Sequence, residues 1–229
     1  MWFLQSGLTF EAFILRILAV LTIVFLILPL HEFAHGWIAY KLGDNTAKYS
    51  GRLTLNPLVH IDPLGALLIL LVGFGWANPV PINPRNFKNP KAGMALTALA
   101  GPLSNIIAAF VGMLLNGIIL GIMVRFMSPI NMGLVAGINT FFSYYIIINI
   151  GLAVFNLIPI PPLDGSRILG AFLPDNAIES YYKYQNITAL ILFALIFMGV
   201  LDLPLSFLQN VIYNGLYYVS NLILSPFGV

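Results

Sequence analysis

The chain has 229 residues, of which 59% are apolar and only 8% charged, with a net charge of +2. Soluble domains carry about 25% charged residues, so so few charges cannot cover a water-soluble globule, and the chain reads as an integral membrane protein. The small net charge, with no basic run interleaved with aromatics, excludes a nucleic-acid binder; the absence of cysteine excludes disulfides, iron–sulfur clusters and thiolate zinc sites and leaves any metal to His, Asp or Glu.

The length suits one membrane domain over residues 1–229, all-α and polytopic, with five or six hydrophobic segments joined by short loops. The first helix is predicted to begin near Phe10 to Phe13. Glu11 and Arg16 stand where a leader would have its basic region, and the apolar run leads into polar residues instead of a small-residue cleavage motif, so a cleaved signal peptide is not expected. The run ends in L-I-L-P-L-H-E-F-A-H-G-W-I-A-Y, residues 26–40. On a helix His31 and His35 share a face and can bind one metal ion, with Glu32 in reach of a water on it; this is the H-E-x-x-H pattern of a zinc peptidase. Histidine and glutamate are costly in lipid, and such a cluster is by default a functional site. Pro29 predicts a kink, and Gly43-Asp44-Asn45 a helix end.

The next stretch holds Y-S-G-R-L-T-L, residues 49–55, whose alternation predicts a short strand. Leu64 to Trp76 is apolar but only 13 residues long. As a helix it would reach ~20 Å against a hydrocarbon core of ~30 Å. Three prolines follow in A-N-P-V-P-I-N-P, so residues 64–84 read as a re-entrant element, tolerated only beside protein or a water-filled cavity. Met94 to Met123 then crosses and Gly133 to Ile158 returns. On that path eight of the ten basic residues face one side, with Arg125 opposite and Arg16 inside the first span. The positive-inside rule makes that side the cytosol, in a multi-pass plasma-membrane protein with its N-terminus outside and the histidines toward the cytosolic face.

The second long helix opens with small residues, Gly93, Ala95, Ala98, Ala100 and Gly101, suited to close helix packing. Asn105 within it reads equally as an interhelical hydrogen bond or as a contact to substrate or water. The returning helix stops at Pro159, Pro161 and Pro162, leaving Asp164 at the start of a short amphipathic helix. Asn186 to Leu203 and Leu205 to Leu224 complete the chain, joined by a turn at Asp202–Pro204, and read as packing partners or a gate around a catalytic core over residues 10–172.

A catalytic zinc takes three protein ligands and keeps one position for water. With two histidines placed, the third comes from eight acids and His60. Asp62 and Asp164 remain as candidates, both beside proline turns. Asp164 is favoured because it follows a broken helix inside the apolar bulk, whereas Asp62 in D-P-L-G suits a helix cap. Glu32 is then the general base, and Asn105, Asn156 or His60 are candidates for stabilising the oxyanion. His60 is weighed more toward a structural hydrogen bond, and Asn156 also reads as a cap. A membrane metal or proton transporter is the alternative reading of the same His/Glu cluster.

Five blocks, H-E-F-A-H-G-W-I-A at 31–39, N-P-L-V-H-I-D-P-L-G at 56–65, W-A-N-P-V at 76–80, A-G-P-L-S-N at 100–105 and N-L-I-P-I-P-P-L-D-G at 156–165, together resemble the site-2 protease family of intramembrane zinc metallopeptidases. The resemblance implies that His31, His35 and Asp164 bind Zn2+, that Glu32 is catalytic, and that Asn105 and Asn156 assist substrate entry or positioning. It also implies three core helices around the zinc with flanking helices that gate access. Its substrates would be single-span membrane proteins in the bilayer, such as an anti-sigma factor or a signal-peptide remnant. Many relatives carry a span before the H-E-x-x-H helix and a PDZ or CBS domain; the expectation here is a compact form with neither. Oligomeric state is not legible in the sequence.

Overall fold

The computed structural model describes residues 9–72, 75–127, 129 and 131–227. The first helical rod runs from Phe10 to Lys41 as α1 (Phe10–Thr22), a π-helical turn (Ile23–Ile27) and α2 (Leu28–Lys41). Thr9 caps its start by accepting from the Ala12 N–H. The irregularity predicted from Pro29 lies one turn earlier, where the Leu28 N–H reaches back to the Ile23 carbonyl. A proline ring crowds the carbonyl four residues before it, and a widened turn at that point relieves the crowding without ending the helix. Ile23, Val24 and Ile27 of the wide turn are buried in the core.

Four short elements follow, α3 (Thr46–Tyr49), α4 (Pro57–His60), α5 (Pro63–Val72) and a 3-10 turn (Pro84–Asn86). The strand predicted over residues 49–55 is not formed. Ser50 and Gly51 turn the chain, Gly51 at φ +67°, and the Arg52 and Leu53 N–H groups both return to the Ala47 carbonyl, so no edge is left to pair. Among the described residues the β-pairing is a single antiparallel bridge between Ile61 and Ala77, beside the bond from Asn78 N–H to the His60 carbonyl. That bridge sets residues 75–77 beside the residues from which α5 departs. Gly65 and Gly75 make the return possible, since a Cβ on either would overlap the backbone of the opposite limb.

Two long helices form the rest of the centre, α6 (Pro90–Phe126) and α7 (Met132–Asn156). Asn89 and Asn131 cap them, and Asn56 and Asn83 cap α4 and the 3-10 turn. Three of these caps precede proline at the first helical position, where its missing N–H is not needed. The pair packs through Ala109 and Met113 against Ile146, Ile150 and Val154, with Gly112 lying against the Tyr145 ring. Nearer the far end, Asn116 Nδ2 donates to Asn139 Oδ1 at 2.9 Å. Among the described residues, the rod, α6 and α7 are the three single helices long and apolar enough to cross a membrane.

α8 (Asp164–Gly170) and α9 (Asp175–Lys183) precede α10 (Gln185–Phe197) and α11 (Asp202–Leu224). The last two meet the same criterion only as a pair, bent by 83°. The turn between them lies before Asp202, not at Asp202–Pro204, because Gly199 supplies a φ of +71° and proline is accommodated in the first turn of α11. Leu205, Ile212 and Leu216 lay α11 against the α6–α7 core, so it lies at the depth of those spans.

The segment after α2 is fastened by Asp44, which is fully buried. Its carboxylate accepts from the Thr46 N–H and hydroxyl, from Asn83 N–H at 2.7 Å and from Asn86 Nδ2 at 2.7 Å. Burial acts to raise the carboxyl pKa, but the hydrogen bonds from Thr46, Asn86 and Asn83 outweigh it and hold the group below the ordinary carboxylate range. A group with a depressed folded pKa stabilises the fold above its unfolded pKa and loses that contribution as pH falls through the folded value. Thermal unfolding of the protein should therefore show stability falling below about pH 4, with a shallower fall in Asp44→Asn. An identical pH profile for the two proteins would contradict this role.

Candidate metal centre

His31 and His35 project from one face of α2, and both are buried. Their rings meet edge to face, with centroids 4.7 Å apart. Asp164 arrives from the other end of the fold, on the first turn of α8 after the proline-rich segment that ends α7. Gly165 makes that approach possible, because a Cβ there would overlap the Leu157 and Ile158 carbonyls.

The three ligating atoms converge. His31 Nε2 lies 3.1 Å from His35 Nε2, and Asp164 Oδ2 lies 3.3 Å from the first and 3.2 Å from the second. The Nδ1–H of His31 donates to Asn105 Oδ1 at 2.6 Å and that of His35 to the Thr97 carbonyl at 2.7 Å. Both Nε2 atoms are then left with lone pairs aimed at each other and at a carboxylate oxygen. Three acceptors at this spacing need a proton or a metal ion shared among them. Tetrahedral zinc with bonds of ~2.0–2.1 Å to nitrogen and oxygen sets its ligand atoms ~3.3 Å apart, so the donor set fits it.

α6 builds the wall behind the histidines. The small-residue run was read as a helix-packing surface, but at Gly101 its use is more local: a Cβ there would overlap the His31 and His35 imidazoles. One turn further on, Asn105 is fully buried and fixes the His31 tautomer. Its Nδ2 has no hydrogen-bond partner among the described residues.

Glu32 is half-buried, and its Oε2 accepts from the Val80 N–H at 2.9 Å. Gly36, one turn along α2, lets this contact form by bringing Val80 close: a Cβ there would sit 3.2 Å from Val80 Cγ1. Arg52 steadies the same stretch by donating to the Asn78 and Pro79 carbonyls at 2.6 and 3.1 Å. Asp44 holds its far end through Asn83. Sequence reasoning missed Asp44 and Arg52 as supports, since each gains its role from partners about 30 to 40 positions away.

The remaining candidates are engaged by other partners. His60 is fully buried, and its Nε2–H donates to the Thr54 carbonyl at 2.8 Å, which is the structural alternative. Asp62 caps α5 by accepting from Gly65 N–H at 2.8 Å. Asn156 donates to Leu152 O within its own helix. Among the described residues, His31, His35 and Asp164 are the group of His and acidic side chains close enough to share one ion. Asn149, which the sequence reading passed over, is fully buried on α7 and donates to Tyr145 O.

Comparison with known proteins points the same way. The model of Peptidase family M50 matches residues 115–199, which include Asp164. The chain is 48% identical over 145 residues to "Putative zinc metalloprotease YwhC" of Bacillus subtilis (strain 168), covering 63% of this chain and 64% of that protein. It is 31% identical over 143 residues to "Putative zinc metalloprotease Rip2" of Mycolicibacterium smegmatis, covering 60% of this chain and 51% of that protein. The Mycobacterium tuberculosis (H37Rv) protein of the same name is 30% identical over 181 residues, or 77% of this chain and 63% of its own length. The chain thus spans less than two thirds of the length of these relatives. No solved structure matches the chain significantly. The resemblance carried by the five motif blocks is borne out by these matches.

If Asn105 sets the His31 tautomer, Asn105→Ala should weaken zinc binding by about 10- to 100-fold in chelator competition, the usual cost of losing such a partner. Unchanged zinc affinity would contradict the assignment.

Proposed function

We propose that this chain is an M50-type zinc metalloprotease that hydrolyses peptide bonds within the transmembrane segments of other membrane proteins. The observation that carries the reading is the triangle of His31 Nε2, His35 Nε2 and Asp164 Oδ2, with edges of 3.1, 3.3 and 3.2 Å. Its two histidines lie on the helical rod Phe10–Lys41, which is long and apolar enough to span a membrane. His35 is six residues from the end of that rod, or ~9 Å along the axis, so hydrolysis would occur near one membrane face and below its surface.

A bound zinc ion would supply Lewis-acid chemistry, acidifying a water and polarising a peptide carbonyl. The remaining work falls to the chain. His31, His35 and Asp164 hold the ion, and Asn105 and the Thr97 carbonyl keep both imidazoles in the tautomer that binds it. Glu32 keeps Oε2 on the Val80 N–H, leaving Oε1 to accept a proton from the attacking water and return it to the leaving amine. The unpartnered Nδ2 of Asn105 is a donor still available to the reacting groups. Buried apolar packing from Ile23, Ile27 and Ala108 keeps bulk water away from this side of the rod.

The substrate class follows from location. A scissile bond reaching this depth must belong to a chain already in lipid, so the partner is a single-span membrane protein or a membrane-embedded remnant. The test is purified protein in lipid with candidate single-span substrates. Glu32→Gln should keep about one zinc per chain and lose cleavage by at least ~10²-fold, the scale of a general base. Undiminished cleavage by that variant would overturn the mechanism.

A further inference from the structure

The stretch W-A-N-P-V-P, residues 76–81, has few backbone donors to offer. Pro79 and Pro81 lack an N–H, so between Asn78 and Ile82 the one backbone donor is Val80. The Pro79 ring fixes φ on one side of that donor, and the residue before Pro81 is held extended on the other. The direction of the N–H is thus set by its neighbours. It points at Glu32, reaching Oε2 at 2.9 Å.

The other end of the same peptide group is occupied as well. Arg52 Nη2 donates to the Pro79 carbonyl at 3.1 Å and to the Asn78 carbonyl before it at 2.6 Å. A guanidinium and the Glu32 carboxylate therefore share one amide, the cation on its oxygen and the anion on its hydrogen. Among the described residues Arg52 forms no ion pair, so its charge is spent on these carbonyls. A cation on a carbonyl oxygen polarises the amide and makes its N–H a stronger donor, the more so in a low dielectric.

His60, which the metal centre does not use, sets the spacing. Its carbonyl accepts from Asn78 N–H at 2.7 Å, and its Nε2–H donates to the carbonyl of Thr54, two residues from Arg52, at 2.8 Å. A fully buried imidazole thus ties the turn that carries Arg52 to the stretch that Arg52 grips.

We propose that Arg52 is a positioning residue for Glu32, acting through the single Pro79–Val80 peptide group, whose N–H it orients and strengthens so that Oε2 stays anchored and Oε1 stays free for proton transfer. The proposal rests on the peptidase reading above and names the charge that holds its general base in place. The zinc ligands do not depend on this hold, because Asn105 and Thr97 of α6 orient the two histidines and α8 brings Asp164.

The test compares Arg52→Ala and Arg52→Lys with the unmodified full chain in lipid, with the exposed Lys88→Ala as control. Arg52→Ala should keep its zinc and its KM while kcat falls about 10- to 100-fold, the scale of a displaced reacting group. Arg52→Lys, which keeps the cation but not the planar fork, should recover about threefold or more of that loss, as should guanidinium ion added to Arg52→Ala. Replacing Val80 by its α-hydroxy acid turns the peptide into an ester and removes the N–H. In that background Arg52→Ala should cost no more than about twofold further, since changes on one path are not additive. Infrared spectra read the contact without turnover: the carboxylate band lost in Glu32→Gln should shift in Arg52→Ala and stay in place in Lys88→Ala. Losses that multiply in the Arg52/Val80 pair, a loss of zinc or a raised KM as the main effect of Arg52→Ala, or an unshifted Glu32 band overturns the proposal. Failure of the peptidase reading would appear separately, as no zinc-dependent cleavage by the unmodified chain with the infrared shift still present.

Discussion

Three atoms with lone pairs, two imidazole nitrogens and a carboxylate oxygen, are held within 3.3 Å of one another inside an apolar bundle. Without a proton or a metal ion between them this arrangement is repulsive, and burial in low dielectric makes it more so. Much of the surrounding structure serves to impose it. Gly101 clears space for both rings, Asn105 and Thr97 turn them, and Gly165 lets the segment after α7 come close enough for Asp164 to reach. The cost of assembling the site is met by packing elsewhere, chiefly in the α6–α7 core around Ala109, Ile146 and Ile150.

The same principle, that polar groups in an apolar medium need partners, explains the other unusual features. Pro29 is tolerated in the rod because the π-helical turn from Ile23 to Ile27 rearranges the backbone bonds ahead of it. The Asn116–Asn139 bond gives the Asn116 amide and the Asn139 oxygen each other as partners. The segment over residues 77–84, with three prolines, is irregular, yet its backbone is spoken for by Arg52, Glu32 and Asp44. Supporting the Glu32 carboxylate therefore depends on a loop fastened at both ends.

Legibility in the sequence followed the range of the interaction. The i, i+4 pair of His31 and His35 and the proline stop before Asp164 are local patterns, and they are enough to nominate a pairing of segments about 130 residues apart. Helix starts were legible for the same reason, since Asn-Pro and Thr caps act over three or four positions. The predicted strand at residues 49–55 failed because alternation describes a face, and no second edge was there to pair with it. Asp44 was read as a helix-ending loop acid because its partners, Asn83 and Asn86, lie about 40 residues on.

The central claim is a zinc ion shared by His31, His35 and Asp164, and X-ray absorption at the zinc edge of the purified protein examines it most directly. The account predicts a shell of nitrogen and oxygen at ~2.0–2.1 Å without sulfur, with the multiple-scattering signature of two imidazoles. In Asp164→Ala the shell should lose an oxygen or the zinc should be lost altogether, while Asp62→Ala leaves it unchanged. A spectrum lacking imidazole scattering, or one that Asp164→Ala does not alter, would contradict the account.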